Sequence, residues 1–113
     1  MNIENFKLDE FTRGWLVGDF EPSLLKTKDI EVAVQLYKAG QKGDMHLHKI
    51  ATEITVIAHG TVNMGGKIFT QGDILVVPKG VPTDFLSITD SVTVVIKYPS
   101  VANDKYFMGH ENG

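Results

Sequence analysis

From residue 31 onward the chain reads as short runs in which apolar and polar residues alternate, each closed by a glycine, proline or aspartate. Alternation with period two is the mark of a strand with one buried face. Glu31–Tyr37 is the clearest run, with Val32, Val34 and Leu36 on one face and Ala33, Gln35 and Tyr37 on the other. The second set can serve a pocket, solvent or a partner. Residues 53–58 form the next strand, and Thr61–Met64 joins Lys67–Thr70 across Gly65-Gly66. Two glycines suit a tight hairpin whose turn needs positive φ. Ile74–Val77 and the runs 85–88 and 92–98 complete the set, separated by Gln71-Gly-Asp73 and Pro78-Lys-Gly-Val-Pro82. Lys97 and Tyr98 fall on opposite faces, so one of them faces the interior. Many short Val- and Ile-rich strands without a helical period predict an all-β sandwich or barrel.

The flanks differ. Residues 1–28 have no strong period, but Phe6, Phe11, Trp15, Leu16, Val17 and Phe20 make them too apolar for a free tail. They are expected to pack on the body or on a second subunit. Trp15 with Phe11 and Phe20 can form a lid, though burial as a core or dimer anchor is the commoner use of such residues. Residues 29–100 form the barrel. In the tail, 101–113, Val101, Tyr106 and Phe107 are anchors and Gly109 onward is expected to fray.

The candidate chemistry lies between Gly40 and Gly60. His46 and His48 are two apart, so on a strand they look the same way. Glu53 follows after a turn, and a strand returning beside the first brings its carboxylate toward the imidazoles. Two His and one carboxylate bind one face of a divalent cation and leave positions for water, substrate or O2. The bland alternative is a pair of exposed strand histidines and a surface carboxylate. His59 shares the parity of Glu53 but lies about 20 Å along the strand, and His110 sits among tail glycines; neither is counted. Met45 and Met64 carry no cofactor signal, and the serines lack a nucleophile-elbow setting.

Composition changes the picture only by exclusion. The 113 residues make one domain, and 11 basic against 14 acidic residues give no patch for nucleic acid or an anionic membrane. With no cysteine, thiolate ligands, disulfides and cysteine nucleophiles are excluded. The N-terminus is unlike a secretory signal, and no apolar run approaches a membrane span. A cytoplasmic protein is the expectation.

These residues resemble the cupin superfamily, whose first motif runs Gly, His-x-His, Glu, Gly; here Gly40, His46, His48, Glu53 and Gly60 meet every spacing. In the second motif Gly72, Pro78 and Gly80 match, but Thr83 stands in the His slot and Ser87 in the Asn slot. The resemblance implies a double-stranded β-helix, the cupin jelly-roll barrel. It also implies a small single-domain cupin holding a divalent metal ion (Fe, Mn, Zn, Ni or Co) on His46, His48 and Glu53. Thr83 is a poor substitute for the usual fourth ligand, and strand parity turns Asp84 away from the face Thr83 uses. Implied activities are dioxygenase, isomerase or lyase chemistry on a small polar carboxylate or sugar-like molecule, in a homodimer paired through edge strands or an exchanged N-terminal segment. Two alternatives stand beside it. One is a non-catalytic ligand-binding or sensing barrel, and the other a metal-free sugar isomerase or epimerase using a pocket His as general base.

Overall fold

The computed structural model describes residues 2–108. After two short 3-10 turns, Leu8–Glu10 and Thr12–Gly14, the chain runs through ten strands. They are β1 (Trp15–Val17), β2 (Glu31–Tyr37), β3 (Lys42–Leu47), β4 (Thr52–His59), β5 (Thr61–Met64), β6 (Lys67–Thr70), β7 (Ile74–Val77), β8 (Thr83–Ser87), β9 (Ser91–Tyr98) and β10 (Tyr106–Phe107). Two five-stranded sheets result, ordered β1-β2-β9-β4-β7 and β10-β3-β8-β5-β6, with all strand pairs antiparallel. The all-β expectation holds. Three runs are longer than the residue pattern indicated: 85–88 begins two residues earlier, at Thr83, 53–58 extends by a residue at each end, and 92–98 begins one residue earlier, at Ser91.

The turn chemistry explains the chain's reversals. Gly65 and Gly66 take φ of 61° and 86° in the β5–β6 hairpin, the backbone its right-handed twist requires. Gly60, which closes the first motif, sits at φ 86°, and a Cβ there would collide with the Asp90 carbonyl. Both flanks join the sheets: β1 adds to the edge of β2, and β10 pairs with β3 through Tyr106–Leu47 and Phe107–His46. Within the N-terminal segment, β1 thus lies on the barrel of its own chain. The anchors Tyr106 and Phe107 pair as a strand, whereas the expected fraying from Gly109 and the placement of His110 lie outside the described residues.

Along β4 the inward side chains pass from Glu53 through Thr55 to Ile57, so the interior changes from polar to apolar within one strand. At the apolar end Ile57, Val62 and Met64 form a buried cluster backed by Phe69, Leu75 and Phe85. At the other end the barrel stays open. The outward face of the first sheet is aliphatic over most of its area: Val32, Val34 and Leu36, Val94 and Ile96, Ile54 and Val56, Ile74 and Val76 lie in register across four strands, with Thr52 and Tyr98 at one end. Leu36, Ile74 and Val76 on it are 65%, 66% and 59% exposed.

Candidate functional site

The open end encloses a cavity of about 870 Å³, within the range of small-molecule sites. β2 supplies Glu31, Gln35 and Tyr37, so the inward set is the one that includes Gln35 and Tyr37; β9 supplies Thr93, Val95 and Lys97. Of the last pair Lys97 faces inward and Tyr98 is exposed. The three predicted ligands share this pocket. His46 and His48 meet edge to face with ring centroids 5.2 Å apart, and Glu53 enters from the first residues of β4.

His46 Nδ1 lies 2.8 Å from the Asp44 carbonyl. A carbonyl only accepts, so Nδ1 is the donor there, and Nε2 is the nitrogen left to face a ligand. That arrangement is how a second partner fixes a ligating tautomer. His48 is 6% exposed and its Nε2 is buried without a hydrogen-bond partner. A buried polar nitrogen left unsatisfied is costly and asks for an explanation. Burial, and then the charge of Lys97, push the His48 pKa down to about 4 against the opposing pull of Glu53. Both effects favour a neutral imidazole at neutral pH. Glu53, 9% exposed, accepts the Thr55 hydroxyl at 2.8 Å. Its charge also acts on Tyr37, whose pKa is raised by burial first and by Glu53 second, while the phenol donates to Gln35 Oε1 at 2.8 Å.

The strand carrying Glu53 does not return beside that of the histidines, since β3 and β4 lie in different sheets, and the carboxylate reaches the same pocket from the facing sheet. Two imidazoles and a carboxylate lining one pocket are a fitting donor set for a divalent cation, and the orphaned His48 Nε2 is the atom such an ion would satisfy. Among the described residues, however, no three His, Asp or Glu groups are drawn together as a formed metal cluster. Coordination would require these side chains to close on one another. Thr83 lies opposite His46 in the β3–β8 pairing and donates to the Asp84 carbonyl at 3.1 Å, so it stands at the pocket as the motif implies. Asp84 borders the pocket too, but its carboxylate accepts the Gly65 N–H at 3.0 Å. Ser87 is fully buried away from the cavity and bonded to Ser91. His59 is exposed at the far end of β4.

Several pocket residues were not singled out from sequence. Asp104 is 5% exposed and receives the N–H groups of Lys49, Ile50 and Ala51, tying the C-terminal segment to the turn between His48 and Glu53. Burial would raise its pKa, but those three hydrogen bonds outweigh it and hold the carboxyl below its usual range. Nothing local in the sequence marks this contact, which spans more than fifty positions. Arg13 and Lys105 line the pocket from the two flanks. Trp15 and Phe20 stand in its wall, edge to face at 6.5 Å, while Phe11 meets Phe6 instead. Lys97 lies 4.9 Å over the Trp15 ring and 3.6 Å from Glu31.

No protein-family model and no curated protein matches the chain by sequence. Solved structures match it by shape. An uncharacterised conserved protein with a double-stranded β-helix domain from Klebsiella pneumoniae is 18% identical with a TM-score of 0.71, covering 95% of this chain and 98% of that one. The DMSP lyase DddQ of Ruegeria pomeroyi is 20% identical with a TM-score of 0.71 over 86% of this chain; the chain spans about half, 51%, of that enzyme. An RmlC-like cupin from Shewanella frigidimarina is 20% identical with a TM-score of 0.62, covering 68% and 71% of the two chains. At such identities the likeness speaks for architecture alone. With two antiparallel sheets closed around a pocket, and with those neighbours, the chain has the double-stranded β-helix fold of the cupins.

Proposed function

We propose that this chain is a small metal-dependent cupin enzyme that binds a divalent cation on His46, His48 and Glu53 and acts on a small polar molecule in the pocket beside them. The observation that carries the reading is His48 Nε2, buried in the pocket wall without a partner and kept neutral by its surroundings. Fold neighbours supply a precedent of class: manganese centres occur in the Bacillus subtilis oxalate decarboxylase, and DddQ is a lyase. The cation would polarise a substrate oxygen or, if iron, engage O2. Gln35, Tyr37 and Thr55 offer hydrogen bonds that orient the bound molecule, and the aromatic wall of Trp15 and Phe20 limits water at the mouth.

The test is elemental analysis of protein purified without a His-tag or chelator, with His48→Ala beside it. Near-stoichiometric metal that disappears in the variant is expected; no metal in either sample, even after supplementation, refutes the site.

A second reading is favoured by the donors' failure to form a cluster and by the Lys97 charge near His48, which opposes a cation. In it the same neutral imidazole acts as a general base without metal, or the pocket binds a ligand without turnover. Activity that survives chelation but not His48→Ala identifies the base.

We further propose a homodimer formed through the aliphatic outward face of the first sheet. The N-terminal segment is used within its own chain, and an uncharged face of β2, β9, β4 and β7 is best matched by its own copy, sheet on sheet.

A further inference from the structure

The cations of the pocket arrive from three separate parts of the chain. Arg13 stands in the second 3-10 turn, Lys97 on β9, and Lys105 just before β10, and all three line the cavity. The acids sharing that wall are already engaged. Glu31 takes Lys97 at 3.6 Å and the Ser100 hydroxyl at 2.8 Å. Asp104 is filled by backbone N–H groups, Asp84 holds Gly65, Glu21 bridges to Lys26, and Glu53 accepts from Thr55. Among the described residues Arg13 and Lys105 have no ion-pair partner at all.

Two of the three charges act against the third. The pKa of Lys105 is lowered by burial first and by the charge of Lys97 next, with Arg13 adding to it against Glu53 and Asp44. Like charges held together in a cleft raise one another's energy until an anion comes between them. Arg13 is held besides at φ 48°, ψ 34°, the left-handed region that a side-chain-bearing residue enters at a cost. Such backbone persists where the surrounding structure enforces it, and it gathers at binding sites. Here a Cβ on the neighbouring Gly14 would collide with the Val34 carbonyl, and the Arg13 carbonyl accepts from Gln35 Nε2 at 3.5 Å.

We propose that Arg13, Lys97 and Lys105 form a carboxylate clamp at the pocket mouth, so that the molecule taken by this pocket is a small organic anion and not a neutral sugar. The guanidinium supplies a planar fork matched to a carboxylate, and the ammonium groups supply point charges on either side. Trp15 under Lys97 fixes where one of those charges stands. The segments flanking the barrel thereby set specificity, while His46, His48 and Glu53 form the reacting end. This deepens the proposed function by using the same pocket, but it does not depend on a metal being bound.

The single tryptophan, Trp15, lies in the pocket wall beside Lys97 and is a built-in reporter. Its fluorescence is followed while the full-length protein is titrated with glucuronate, malonate and glucose, the metal content being measured on the same sample. The carboxylates are expected to saturate the signal and glucose to leave it unchanged. Binding should weaken as salt is raised. Lys105→Gln and Arg13→Gln should each weaken it about tenfold, the scale of one charged hydrogen bond, with metal content unaltered. Glucose binding as tightly as glucuronate, no response to either carboxylate, or wild-type affinity in both variants overturns the clamp. Carboxylate binding by a metal-free sample supports the clamp while the metal reading fails; a metal-loaded sample that binds neither carboxylate does the reverse.

Discussion

Replacing Asp104 by Asn tests how the site is held. The carboxylate oxygens receive Lys49, Ile50 and Ala51 N–H at 3.0, 3.1 and 2.9 Å, so three successive donors converge on one buried group. Asparagine keeps the shape but offers one acceptor oxygen, and its amide N–H2 then faces a backbone N–H. Water can reach the exposed Lys49 and Ile50, which limits their loss to about 0.5–1 kcal/mol each. Ala51 is 3% exposed, and leaving its N–H unpaired costs about 1–3 kcal/mol. The sum is about 2–5 kcal/mol. For a domain of 113 residues each kcal/mol lowers Tm by about 4 °C, so a drop of about 8–20 °C is expected at pH 7. The sign of the pH dependence follows from the depressed folded-state pKa. Such a carboxylate stabilises the fold above its unfolded pKa, about 4, and loses that contribution as pH falls through the folded value. The gap between wild type and Asp104→Asn should therefore be constant from pH 7.5 to 5.5 and narrow below about pH 4. Scanning calorimetry across that range decides it. A drop under about 3 °C at pH 7, or a gap as wide at pH 3 as at pH 7, would refute the clamp on the β3–β4 turn.

Three further outcomes are expected. Val94→Lys places a charge at the centre of the aliphatic sheet face and should turn a dimer into a monomer by light scattering; a wild-type protein already monomeric at micromolar concentration removes the proposed interface. Ile57→Ala empties the fully buried centre of the apolar cluster and should cost about 2–5 kcal/mol in chemical denaturation, without changing metal content. In metal-free protein the His48 imidazole, with its pKa pushed down to about 4, should remain neutral by NMR through pH 5. Because the unfolded His titrates near 6.5, its contribution to stability is present above that value and is lost as pH falls toward 4; a midpoint above 6 contradicts the burial argument.

Local chemistry made much of the fold legible. Alternation marked β2, β4 and β9, paired glycines marked the β5–β6 turn, and the placing of Gly40, His46, His48, Glu53 and Gly60 indicated the barrel before any strand was paired. Counting two and four on from Glu53 places Thr55 and Ile57 on its face, inside, and the rise per residue took His59 to the far end. It left open whether Gln35 and Tyr37 faced the pocket, because period two divides a strand's faces without saying which is inward. Pairing with β9 answered that, and it also turned Lys97 in and Tyr98 out.

By itself, then, the sequence determined most of the barrel strands, turn positions, the absence of thiol chemistry and the candidate donors, since these depend on residues close together in the chain; β1 and β10 left no such pattern. The tertiary structure alone decided what surrounds the donors. Arg13, Lys97, Asp104 and Lys105 come to one pocket from both ends of the chain, and Lys97's closest carboxylate is Glu31, across a strand pair. Contacts of that kind leave no local pattern, because the chain between them carries no record of where it will return. Yet burial and electrostatic coupling arise from those contacts, and they are what keep His48 neutral and leave Arg13 and Lys105 lining the pocket without an ion-pair partner among the described residues.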